Sequence, residues 1–185
     1  MFFLSVLLVL SLLCGCTSVA DDMQPVTDFR QKLLVASNCS FDAFITADYS
    51  NTIYQFKMHC QMDSDGKVRF TVTEPDTIAG ISGSIRAAEG SLTFDETALA
   101  FPILANDRAT PVSAPWIFLN SLRSGYLKTV GREGDGYRIG IDDSYEENAL
   151  HLEILTDALF NPSLCEIYWD GQRILSLEIE NFQIL

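Results

Sequence analysis

Few side chains in this chain are spaced for chemistry, and the spacing of those few excludes most reactions. Neither histidine, His59 or His151, has a cysteine, a second histidine or a carboxylate at metal-ligand spacing. Each sits among alternating apolar residues that point the other way, which makes both solvent-facing strand residues. Gly80-Ile81-Ser82-Gly83 is one residue short of the Gly-x-Ser-x-Gly elbow that exposes a nucleophilic serine, and no helical pattern follows it. Nothing else pairs a nucleophile with a base, so the sequence assigns no catalytic residue, metal ligand or cofactor and reads as no enzyme. The acidic run from Asp142 to Glu147 offers oxygens to a hard cation, but it lacks the glycine and the spacing of a calcium loop. It reads as a solvated turn, as does Asp63-Ser64-Asp65-Gly66.

Of the five cysteines, Cys16 is the most informative. It closes a leader, Met1 to Leu13, that is almost purely Leu, Val and Phe. That length suits the apolar core of a signal peptide, about 7–15 residues, and falls short of the ~20 that a spanning helix needs. Leu13-Cys14-Gly15-Cys16 resembles the lipobox of bacterial lipoproteins. The resemblance implies cleavage after residue 15, with the Cys16 thiol as the nucleophile that takes the lipid. The mature chain is then a lipid-anchored protein of the cell membrane, its domain on the extracytoplasmic side. One acyl chain binds a membrane only marginally, so the several chains of a lipoprotein cysteine would make the tether stable.

Charge narrows the partners. With 25 Asp and Glu against 12 Lys and Arg, the net charge of -13 argues against nucleic acid and against electrostatic docking on anionic lipid. Membrane contact must come from the anchor. Residues 16–26 read as a flexible stalk, and residues 27–185 as one domain long enough to bury its own core.

Thr27 is expected to cap a helix carrying Phe29, Leu33 and Ala36 at helical spacing. The period then changes to two. Odd positions from Cys39 to Tyr49, and even positions from Tyr54 to Met62, are apolar or small, giving two half-buried strands. A loop at Asp48–Asn51 would place Ile45 opposite Tyr54, Phe41 opposite Met58 and Cys39 opposite Cys60. Opposed strand residues lie within the span of a disulfide, so Cys39–Cys60 is the preferred bridge; two reduced thiols filling core volume is the alternative. Cys165 is left over.

Asp65-Gly66, Asp135-Gly136 and Asp170-Gly171 each separate strand-like segments and predict hairpins, because Gly takes positive φ without steric cost. The strands expected around them are 68–73, 128–132, 137–141, 149–155, 164–169 and 173–184. The last switches phase after Ile179, which predicts a bulge near Glu180-Asn181. Residues 78–85 read as a weaker strand. Between Asp95 and Leu127 the alternation stops. Ser113 or Ala114 opens a second helix with Pro115 in its first turn, Gly125 after its end and a broad face including Trp116, Leu119 and Leu122.

A helix, a run of antiparallel strands, a helix-containing excursion and further strands is the order of the LolA/LolB-like lipoprotein carriers and related lipid-binding envelope lipoproteins. The chain resembles that group over roughly residues 27 to 185, on Gly90-Ser91-Leu92-Thr93-Phe94-Asp95 and on Thr110-Pro111 ahead of Ala114-Pro115-Trp116. The resemblance implies an α+β fold, a strongly curved antiparallel sheet forming an incomplete β-barrel with helices packed on its concave face.

It also implies a ligand class, an acyl chain, lipid or lipidated partner bound without catalysis. The cavity would be lined by Phe41, Ile45, Tyr54, Phe56, Met58, Phe70, Trp116, Ile139 and Ile154. The same residues suit an ordinary packed core. In that case the protein is an anchored interaction subunit that holds another envelope or spore-associated component through its surface.

Overall fold

A strand is stable where one of its faces can be buried, and each half of the chain supplies a run of such strands. The computed structural model describes residues 18–49, 52–86, 89–94, 97–102, 104–105 and 108–185. The leader, Cys14 and Cys16 lie outside the described residues. The elements are α1 (Ser18–Val35), β1 (Asn38–Asp48), β2 (Ile53–Asp63), β3 (Val68–Glu74), β4 (Ser82–Arg86), β5 (Glu89–Phe94), β6 (Thr97–Pro102), β7 (Leu104–Ala105) and β8 (Arg108–Ala109). A 3-10 turn at Pro111–Ser113 leads into α2 (Ala114–Ser124), β9 (Tyr126–Glu133), β10 (Gly136–Asp142), β11 (His151–Thr156), β12 (Pro162–Trp169) and β13 (Gln172–Ile184).

Eleven strands form one antiparallel sheet in the order β6-β5-β4-β3-β2-β1-β13-β12-β11-β10-β9; β7 and β8 pair separately. The sheet is two meanders that grow outward from a central β1–β13 pair. It stays open at β6 and β9, and irregularities in the pairing of β1, β2, β10, β11 and β12 bend it. This is the α+β architecture, an incomplete barrel with helices on its inner face, that the order of elements implies.

The inner face follows the expected alternation. Cys39, Phe41, Ala43, Ile45 and Ala47 of β1 are buried, as are Phe56, Met58, Cys60 and Met62 of β2. Asn181 has φ 54° and sits in the expected bulge, after which Phe182 and Ile184 turn toward the core. Asp170 and Gly171, at φ 48° and 72°, make the two-residue turn between β12 and β13. The turn between β9 and β10 lies one residue earlier than expected: Gly134 takes positive φ, and Gly136 already pairs with Glu133.

Four expectations need correction. First, the β1–β2 register is offset by two residues. Tyr49 N–H donates to Thr52 O, so the loop begins one residue later and Ile45 faces Phe56, Phe41 faces Cys60 and Cys39 faces Met62. Cys39 and Cys60 are therefore not opposed, and both are free buried thiols, as is Cys165.

Second, the stretch 16–26 is helical from Ser18 onward rather than a stalk. Ala20, Met23 and Gln24 favour helix, and Gln24 Nε2 donates to Asp28 Oδ1 across one turn at 2.8 Å. Thr27 is thus interior, its hydroxyl donating to Met23 O at 2.9 Å, and caps nothing.

Third, the region after Asp95 contains β6 and the short β7–β8 ladder instead of loop alone. Fourth, the weak strand expected at 78–85 begins only at Ser82, because residues 75–80 form turns.

The thiol correction has a direct test. In the native protein Cys39, Cys60 and Cys165 should resist alkylation, and on denaturation without reductant all three should react, read by peptide mass mapping. A Cys39–Cys60 peptide pair surviving denaturation would contradict the register.

Candidate functional site

The inner face is closed by α2, whose residues Ile117, Phe118, Leu119 and Leu122 are buried. Pro115 suits its first turn, and Gly125 N–H bonds Ser121 O just past its end. Ser113 is not a side-chain cap; its hydroxyl donates instead to Thr110 O at 2.7 Å. α1 packs beside α2 and against β9, and arginines tie the helices together. Arg30 of α1 donates to Leu122 O at 2.8 Å and Gly125 O at 2.5 Å, satisfying carbonyls at the negative end of α2. Burial lowers the Arg30 pKa without discharging so basic a group. Arg123 of α2 reaches back to Leu34 O at 3.4 Å.

Aromatic rings continue this seam. Tyr137 stacks on Phe160 at 4.5 Å, Phe160 on Phe29 at 5.9 Å, and Phe41 meets Phe118 edge-on at 5.7 Å. Phe182 lies between Phe29 and Phe41, at 6.4 and 6.1 Å.

This geometry decides where the residues expected to line a cavity stand. A side chain bordering a chamber wide enough for water keeps surface that water can touch. Ile45, Met58, Ile139 and Ile154 keep 0 %, Phe41 1 %, Phe70 2 % and Phe56 6 %. These seven belong to one packed cluster, with Trp116 half-buried at its margin. Tyr54 does not join them: it is 51 % exposed and meets Tyr49 edge-on at 6.3 Å.

The thiols within the cluster are unreactive by environment. Burial pushes Cys39 up to about 12 and raises Cys60 and Cys165 as well, so none offers a thiolate near neutrality.

The outer face is polar. An open groove of about 930 Å³ lies at the ends of β10, β11 and β12, lined by Arg138, His151, Glu153, Tyr168, Trp169, the Asp170-Gly171 turn and residues 147–149. None of the nine expected lining residues touches it. Here the sequence reading missed carboxylates that strand pairing brings to the histidines. Asp42 Oδ1 meets His59 Nδ1 at 2.8 Å across β1–β2, and His151 lies between Asp142 and Glu153 at 2.7 and 2.9 Å. Both histidines nonetheless keep solvent contact, as expected. Among the described residues no group of His, Cys, Asp and Glu is arranged to hold a metal ion.

The acidic run is a hydrogen-bonded turn. Leu150 N–H donates to Asp143 Oδ1 at 2.8 Å, and Asp143 N–H to Leu150 O at 3.0 Å. Burial nevertheless leaves the Asp143 carboxyl above its usual value.

No protein-family model matches the chain, and no curated protein matches it. Several solved structures are similar, including a LolA superfamily protein, the group the order of elements resembles. That protein, from Nitrosomonas europaea, has a TM-score of 0.46 at 7 % identity, covering 91 % of this chain and 94 % of the other. A DUF1329 family protein from Desulfovibrio piger has a TM-score of 0.48 at 7 % identity, with 91 % and 94 % covered. A chain from the Clostridioides difficile complex of the CwlD amidase with the GerS lipoprotein has a TM-score of 0.45 at 12 % identity, with 94 % and 100 % covered. At these identities the likeness reaches no particular residue.

The packing predicts an asymmetry among the nine residues. Phe41→Ala should cost about 3–5 kcal/mol, because nothing around it can collapse into the space. Tyr54→Ala should change stability by no more than about 1 kcal/mol. Urea unfolding of the two variants checks this; a small loss at Phe41 would mean that the inner face already contains a void.

Proposed function

We propose that this protein is an envelope lipoprotein, tethered through Cys16, that works without catalysis by holding a protein partner on a packed scaffold. The filled inner face supports this reading most directly. Seven residues of the expected acyl-chain cavity have at most 6 % of their surface exposed, which leaves little room for a lipid beside them while α2 is in place. A carrier needs a preformed chamber of at least a few hundred Å³, roughly the smallest size of a small-molecule site. An open groove instead lies on the outer face, lined by charged, polar and apolar residues together.

The leader supports the tether. No helix among the described residues is long and apolar enough to cross a membrane. The net charge of -13 gives anionic lipid no electrostatic hold, which leaves the acyl chains of Cys16 to provide attachment.

Two measurements test the proposal. Cross-linking of the full-length chain in its own membrane, followed by affinity capture, should return one stoichiometric protein. Lipid extraction of the purified chain should return no lipid in stoichiometric amount beyond the anchor; a stoichiometric co-purifying lipid would restore the carrier reading. Separately, Cys16→Ala should abolish palmitate incorporation and release the protein from the membrane fraction. Undiminished labelling in that variant would overturn the anchor.

A further inference from the structure

We infer that His151 is a pH-operated clasp between β10 and β11, closed when its ring is an imidazolium and opened by loss of one proton. The inference stands on the arrangement of three side chains and the charges around them. It goes beyond the proposed partner-holding role and does not depend on it.

His151 opposes Asp142 across the β10–β11 pair, and Glu153 follows two residues along the same strand, on the same face. Nδ1 lies 2.7 Å from Asp142 Oδ1, and Nε2 lies 2.9 Å from Glu153 Oε1. An ionised carboxylate only accepts hydrogen bonds, so both contacts hold only if both ring nitrogens carry hydrogen. The neutral ring has one bare nitrogen, whose lone pair would face a carboxylate oxygen. One contact must then break.

Gly140 opposes Glu153 beside this cluster. A Cβ there would make ordinary contact with Glu153 Oε1 and His151 Cε1, at 3.4 and 3.5 Å, and would crowd Thr129 Oγ1 at 2.3 Å.

The surrounding charges decide which contact yields. From β9, Lys128 Nζ also holds Asp142, at 3.1 Å, and Glu133 takes Arg138 of β10. Arg138 reaches Glu153 Oε2 only at 3.6 Å, and that oxygen is buried with no hydrogen bond. From β12, the Tyr168 ring lies 6.2 Å from the imidazole, and its hydroxyl donates to Glu166, which Arg173 of β13 pairs. Glu147, on the β10–β11 loop, and Asp170, on the β12–β13 turn, add further negative charge to the groove wall. When the ring is neutral Asp142 keeps Lys128, whereas Glu153 keeps only the distant guanidinium. The remaining ring N–H therefore stays with Glu153, and the cross-strand Asp142 contact is the one that opens.

Burial is the largest single influence on His151 and favours the neutral ring. The hydrogen bonds and charges of Asp142 and Glu153 together outweigh it, and the pKa lies above the usual histidine value. The stabilisation is therefore complete below the unfolded-state value of about 6.5 and is lost as pH rises through the higher folded-state value. At the acid end, Asp142 opposes its own burial with bonds to His151 and Lys128, which hold its carboxyl below the usual range. The clasp stays closed until that group protonates. What opens is the floor of the outer groove, beside the sheet margin at β9.

Proton NMR of the full-length chain in detergent micelles should show His151 titrating above its value in the urea-unfolded chain. Asp142→Asn or Glu153→Gln should bring it down. Amide exchange of residues 138–142 and 151–154, compared between wild type and His151→Gln at equal pH, should be about tenfold faster in the variant near pH 6, as for a loss of ~1.4 kcal/mol. The ratio should fall toward one above the His151 pKa. A wild-type His151 pKa at or below the unfolded value, unmoved by either carboxylate variant, would overturn the clasp. So would an exchange ratio independent of pH. If His151→Gln does not fold, the wild-type titration and the two carboxylate variants decide the question alone.

Discussion

The pairing of β1 with β13 is the contact on which the sheet depends. Ala43 faces Ile179 and Ile45 faces Leu177, and at the end of the pair Asn38 and Leu185 exchange both backbone hydrogen bonds, at 3.2 and 2.9 Å. Each meander can form locally through short turns, but a half sheet has one long unpaired edge and an apolar face that only its other half and the helices can cover. Closing the central pair brings together residues from opposite ends of the described chain. That costs loop entropy before any burial repays it, so the two-sided sheet should form late and cooperatively.

The helices make the central pair worth closing. α2 follows β8 and leads into β9, and it lays Phe118 against Phe41 of the middle strand. Its C-terminal carbonyls would be unsatisfied against an apolar face without Arg30, which places α1 where Phe29 can reach Phe160 and Phe182. Phe160 holds φ 65°, unfavourable for a bulky residue, and the Asp157 carboxylate fixes its loop by accepting from Leu159 N–H and Asn161 N–H, each at 2.8 Å. Those bonds outweigh the burial that would raise the Asp157 pKa, and its carboxyl is held below the usual range.

Which faces are buried was legible in the sequence because a strand's side chains alternate strictly: Cys39 to Ala47 and Phe56 to Met62 follow the pattern throughout. Register was not legible from that pattern. A shift of two residues preserves every inward and outward position, so only the turn distinguishes Cys39 opposite Cys60 from Cys39 opposite Met62. The same shift moves Asp42 from Lys57 to His59, which is why the histidine's partner went unseen. The His151 clasp was hidden similarly, since Asp142 meets it only across a hairpin with a long loop. The helix before Thr27 was not legible because residues 16–26 show no apolar periodicity, whereas α1 runs through them from Ser18 with Pro25 inside it. For the inner apolar residues, pattern alone fits a lined chamber and a filled core equally. The distinction lies in how closely α2 approaches, which depends on side-chain volumes across elements distant in sequence.

The close packing of the described core bears on what the proposed tether would be for. A carrier must release its load and so profits from reach, whereas an anchored scaffold profits from holding one face at a set height. α1 is described from Ser18 onward. The first buried side chain of α1 is Val26 among those whose surroundings are described, and residues 18–25 would span about 12 Å at ~1.5 Å per residue. A helix of that length is a short, stiff spacer rather than a coil. Under the proposed anchoring, that spacer would keep the excess negative charge off an anionic membrane, where repulsion favours turning acidic surfaces away from lipid; the outer groove, with Glu147, Glu153 and Asp170 in its wall, is one such surface.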